Sequence, residues 1–113
     1  MSVSTIRPPP PTCRYGYTAD QAHQAFEDLR DDDARVLPVP HAFERMEERQ
    51  VTFSQVLRVL RRGRLVQGPD LTNERLWRMK YRGDSAGQDI GVVVDIDQDR
   101  MGNLIAVVTV VVH

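Results

Sequence analysis

The 113-residue chain has one cysteine, Cys13. A single thiol excludes an intramolecular disulfide framework, as in a reducing compartment. No apolar run approaches the ~18 residues that a membrane-spanning helix needs. The first residues lack the charged-then-apolar pattern of a cleaved leader. The formal net charge is only -1, so the molecule as a whole is not a general polyanion binder. The aspartates of "RDDDAR" have no matching ligands near them in sequence and read as a solvated helix end, not a metal site. From these absences we expect a cytoplasmic protein, or one exported without a cleaved leader, with no membrane partner, no metal and no cofactor.

Against these absences stands an ordinary globular composition, 41% hydrophobic and 27% charged. The near-zero sum hides a gradient. Residues 41–82 carry ten Lys or Arg against five Asp or Glu, a net +5. Residues 83–113 carry one Arg against five Asp, a net -4, and residues 1–40 a net -2. An anionic partner responds to such a concentration more than to the overall sum.

"RPPPPTC" favours extended polyproline II, so residues 1–17 are expected to form a proline-rich tail. Residues 18–38 read as a helix and linker. Thr18 and Gln21 make a capping-box pattern, and Ala22, Ala25, Phe26 and Leu29 follow at helical spacing. Residues 39–113 read as the main domain. It begins with a helix over His41 to Arg49. A second helix follows, with Thr52 and Gln55 as its capping box and Gly63 expected in the left-handed region just beyond its end.

The period then changes to that of strands. "RLVQ" is a short strand expected to stop at Gly68-Pro69. "WRMKYR" alternates, with Trp77, Met79 and Tyr81 on one face and Arg78, Lys80 and Arg82 on the other. "DIGVVVDID" alternates as well. "NLIAVVTVVV" is almost continuously apolar, as in a strand covered on both sides or at a sheet centre. Helices first and a meander afterwards predict an α+β fold, with N-terminal helices on a four-stranded antiparallel sheet.

The segment "HAFERMEER" concentrates the candidate chemistry. At about 100° per residue, Arg45 and Arg49 fall about 40° and 80° from His41. Such like charges at helical spacing cost a few tenths of a kcal/mol. On the same wheel Ala42, Phe43 and Met46 form the expected core face, and the basic stripe borders it. The stripe is therefore expected to line a groove between helix and sheet. A metal-independent RNA cleavage needs a base for the 2′-hydroxyl and cations around the phosphorane. Histidine is the residue type suited to the first task, which makes His41 the candidate, and the arginine forks suit the second. Arg78, Lys80 and Arg82 add cations for phosphate, provided that their face turns toward the same groove. The competing reading is structural: arginines snorkelling over a core edge, ordinary pairs of Arg78 or Lys80 with Asp95, and a histidine at a helix N-terminus.

The stretch "HAFERMEERQVTFSQVLRVLRRGRLVQG", with the later "WRMKYRG", "IGVVVDID" and "LIAVVTVV", resembles an uncharacterised bacterial family. That family opens on a His-Ala-x-x-Arg-Met-x-x-Arg helix and is grouped with the RelE, barnase, EndoU and colicin ribonuclease superfamily, which includes BrnT-like toxins. The resemblance covers about residues 39–112. It implies a RelE/barnase-like domain, a ribonuclease or toxin activity, and an RNA, antitoxin or immunity-protein partner. It matches His41, Arg45 and Arg49 to the helix positions, Arg82 to a strand cation and Thr109 to a polar residue of the last strand. No downstream histidine completes an acid–base pair. The expectation is a ribonuclease of toxin type; the alternative is a non-catalytic protein- or RNA-binding module.

Overall fold

Thr18 opens the first helix, α1 (Ala19–Leu29). Its hydroxyl accepts from the Gln21 amide while the Gln21 side chain accepts from the Thr18 amide. This is one of two such boxes in the computed structural model, which describes residues 8–112. The other, Thr52 with Gln55, opens α3 (Phe53–Arg62). Between them lies α2 (Pro40–Arg49), with a proline in its first turn, where a missing N–H leaves no helical bond unmade. Gln50 stops α2 by taking the left-handed conformation, φ 56° and ψ 41°, and its amide bonds back to Glu47 and Met46. Gly63 was expected in that role after α3 but is extended, φ -71° and ψ 176°. Its need for glycine is steric instead: a Cβ there would lie 2.4 Å from the Val59 oxygen and 2.8 Å from the Arg82 oxygen.

Five strands form one mixed sheet in the order β1-β5-β4-β3-β2. They are β1 (Val36–Pro38), β2 (Arg64–Leu71), β3 (Trp77–Ser85), β4 (Gln88–Gln98) and β5 (Leu104–Val112). The expected four-stranded antiparallel sheet is corrected by β1. "VLP" reads in sequence as an extended linker but lies parallel to β5, with Leu37 beside Val107. At a sheet edge Pro38 forfeits no ladder bond, so proline does not exclude strand pairing there. The same reasoning corrects β2, which does not stop at Gly68-Pro69. It is the other edge strand and continues past a cis Gly68–Pro69 bond to Leu71, with register irregularities on the way.

All three helices pack on one face of this sheet. Phe26 of α1, Met46 of α2 and Leu60 of α3 join Met79, Tyr81, Ile90, Val94 and Val108 in one buried cluster. The Phe26 and Tyr81 rings are 5.2 Å apart. Burial of Tyr81 raises its phenol pKa above the ordinary value. On the opposite face Ile105, Val107, Thr109 and Val111 are only half-buried. The apolar run of β5 is therefore covered on one side, not both. Phe43, expected on the core face of α2, is 55% exposed.

Residues 8–11 are exposed. Among the described residues docking begins at Thr12, inside the span expected to be tail, and residues 1–7 of that span lie outside the described residues. Cys13 is buried with Ala22 and Trp77, and Tyr17 offers its carbonyl to the Trp77 indole N–H at 2.9 Å. Arg75 holds the loop with its guanidinium on the Thr12 carbonyl and its own carbonyl on the Arg14 amide. Tyr15 reaches the Asp97 carboxylate, and this bond, with burial and the negative charge, raises the phenol pKa.

Candidate functional site

On α2, His41, Arg45 and Arg49 are all exposed. Helical spacing brings the first two into contact: the Arg45 Nε–H donates to His41 Nε2 at 3.3 Å. The other imidazole nitrogen faces Glu44 Oε2 at 3.5 Å. Both ring nitrogens are thus engaged along the helix surface. Arg49 bonds to the sheet through its backbone carbonyl, which accepts from the Gln88 side chain at 3.0 Å.

The strand cations lie elsewhere. Met79 and Tyr81 point into the cluster that also holds Ala42 and Met46 of α2. Strand alternation therefore turns Arg78, Lys80 and Arg82 to the other face of the sheet. Thr109 shares that face, because its neighbours Val108 and Val110 point inward. Register places Lys80 beside Val93 and Val93 beside Thr109 in one row across the sheet. The sheet thus separates two groups of candidates: His41, Arg45 and Arg49 on the helical side, and Arg78, Lys80, Arg82 and Thr109 on the open side.

Two of the three strand cations already hold carboxylates. Arg78 makes a fork on Asp95 with bonds of 2.7 and 2.8 Å, and Arg82 makes another on Asp89. Each fork pushes the arginine pKa further up, the hydrogen bond to its aspartate being the larger cause in both. Lys80 makes no ion pair among the described residues.

A different basic surface runs along α3 and around its end. Ser54, Arg58, Arg61 and Arg62 line a concavity of about 280 Å³ on the exposed side of the helix. Arg62 also lines a second concavity, of about 450 Å³, where α3 meets β2, together with Arg64, Arg82 and Asp84. Arg61 is occupied by Asp31 and Asp33. The side chains of Arg58, Arg62 and Arg64 make no hydrogen bond or ion pair among the described residues. The sequence pattern alone does not single out these three. "LRVLRRGR" carried the signal, since Arg58 and Arg62 are four residues apart, but Arg62 also reads as an ordinary cation for a helix C-terminus.

Among the described residues, no group of three or more His, Cys, Asp or Glu side chains is placed to hold a metal ion. No helix there is long and apolar enough to cross a membrane. A family model described as "Domain of unknown function (DUF4258)" matches residues 40–112, from α2 to the last strand. No curated protein and no solved structure gives a significant match.

Proposed function

The chain belongs to the DUF4258 family, and from that premise we propose that it is a non-catalytic RNA-binding module of a toxin-like, RelE/barnase-like domain type. The observation that supports this reading is the distribution of free and engaged groups. Among the described residues Arg58, Arg62 and Arg64 make no ion pair or side-chain hydrogen bond, and all three are exposed. Arg78 and Arg82 are forked onto carboxylates, and His41 lies across the sheet from them. Unpaired arginines around α3 suit a phosphate backbone, which needs charge and forked donors but no assembled acid and base. Three phosphate contacts on a single strand would give a slope of about -2 in log affinity against log salt.

A ribonuclease with His41 as general base and Arg45 beside it is the second reading. The 3.3 Å contact between the two side chains favours it. It requires substrate to take the place of Arg45 at Nε2, because that lone pair already accepts a hydrogen bond.

One experiment separates the two. A labelled single-stranded RNA is incubated with the protein, its His41→Ala variant and a triple variant with Arg58, Arg62 and Arg64 changed to Gln. The module reading expects intact RNA, salt-dependent binding by the first two proteins and loss of binding in the third. Cleavage by wild type that disappears in His41→Ala would establish the ribonuclease. No binding at low salt would leave a protein of antitoxin or immunity type as the partner class.

A further inference from the structure

The junction of α3 and β2 is built differently from the rest of the basic surface. Three arginines from three elements converge on it: Arg62 from the last turn of α3, Arg64 from the start of β2 and Arg82 from β3. Arg64 and Arg82 are register partners, so their side chains leave the same face of the sheet. Gly63 and Gly83 also line the concavity. They lie against each other, since a Cβ on Gly83 would come 3.4 Å from the Gly63 Cα. Neither residue projects a side chain into the space between the arginines. The result is a polar concavity of about 450 Å³ with bare backbone on one side and guanidiniums around it.

Charge decides what such a space can hold. Three arginines against Asp84 and Asp89 leave a formal +1. The Asp89 carboxylate is taken up by the Arg82 fork, whereas Arg62 and Arg64 make no hydrogen bond or ion pair among the described residues. Two open forks suit a compact anion that offers several oxygens at once. A phosphodiester within a strand has one negative charge and two unesterified oxygens. A terminal phosphate monoester has three such oxygens and, with a second pKa of about 6, carries about -1.5 to -2 at neutral pH. Arg62 is also shared with the concavity lined by Ser54, Arg58 and Arg61, which places the two side by side. A strand whose end is held at the junction has a basic path for its next phosphates.

We propose that the concavity at the α3–β2 junction, lined by Arg62, Arg64 and Arg82 beside Gly63 and Gly83, binds the terminal phosphate monoester of an RNA strand. The proposal rests on the RNA-binding reading for its source of phosphate, but the pocket itself is tested without RNA. Adenosine 5′-monophosphate and adenosine are titrated into the full chain while the Gly63 and Gly83 backbone amides are followed by NMR. The nucleotide should shift both amides saturably and adenosine should not. Arg64→Gln and Arg62→Gln should each weaken the nucleotide about tenfold, with Arg100→Gln as an unaffected control and circular dichroism as the check on folding. In the second arm, one RNA oligonucleotide is compared with and without a 5′-phosphate. The phosphorylated form should bind about tenfold tighter, and the difference should vanish in Arg64→Gln. Absence of any nucleotide-dependent shift would overturn the pocket. Equal binding of the two oligonucleotides would overturn its assignment to RNA ends while the RNA-binding reading survived. Nucleotide binding without binding of either oligonucleotide would overturn both the RNA source and that reading.

Discussion

Arg78 and Asp95 face each other across β3 and β4, joined by two N–H···O bonds of 2.7 and 2.8 Å. The aspartate side chain is 20% exposed and the arginine 51%. A cross-strand pair this open to water contributes under about 1 kcal/mol after screening. Arg78→Ala should therefore lower the denaturant midpoint only slightly. It should also leave the salt slope of RNA binding unchanged, because its fork is already engaged. Arg58→Ala should flatten that slope by about 0.7. Equal flattening by both changes, read in salt titrations, would return the open sheet face to the binding surface.

Phe26 is fully buried against Tyr81 and ties α1 to the sheet. Phe26→Ala should destabilise by about 3–5 kcal/mol, through lost burial and the cavity left behind. Chemical denaturation measures this. A cost below about 1 kcal/mol would mean that α1 is not part of the cooperative unit.

Gly63→Ala should also destabilise, though the backbone dihedrals there admit alanine. The added methyl would meet the Val59 and Arg82 carbonyl oxygens at 2.4 and 2.8 Å. Forcing atoms into packed backbone typically costs about 1–3 kcal/mol. Gly102→Ala provides the contrast, since it has a positive φ of 81° but open space around it. A thermal melt showing no loss in Gly63→Ala would contradict the close approach of α3 to β3.

Alkaline titration should report on Tyr81. Burial is the largest cause of its raised pKa, so the folded state favours the neutral phenol. That stabilisation is fully present below the unfolded value of about 10 and is lost as pH rises through the higher folded pKa. Tyr81→Phe should remove this part of the alkaline loss. Tyr15 contributes in the same direction through its bond to Asp97, so the variant's stability should still fall, but less steeply. An unchanged pH profile would show that Tyr81 does not titrate with unfolding.

Truncation tests where the N-terminal segment begins to matter. Pro8 to Pro11 are exposed and the sequence up to residue 11 has no apolar residues at periodic spacing, so removing residues 1–11 should leave the thermal midpoint within about 5 °C. Removing residues 1–18 takes away buried Cys13, the Tyr17 carbonyl on Trp77 and the Thr18 cap. That deletion should lower the midpoint by clearly more. Equal midpoints would make the docked loop energetically irrelevant.

What the sequence determined by itself was local. Thr18 with Gln21 and Thr52 with Gln55 mark helix starts because a cap needs only its own turn. The alternation in β3 and β4 identified the inward residues because the strand period depends on the backbone alone. The resemblance over residues 39–112 was to an uncharacterised family, and a family model of unknown function matches residues 40–112. Tertiary structure decided the rest, since each outcome depended on a distant neighbour. "VLP" became a strand only because the edge of β5 was there to pair with it. Gly63 is confined by Arg82, a residue of another element, which no reading of its own helix could show. His41 and Arg82 were candidates for one groove, but a wheel and an alternation each define a face without saying which side of the sheet it meets. The sheet lies between them. Arg62 and Arg64, on either side of a glycine at the end of a helix, meet Arg82 only where α3 turns into β2.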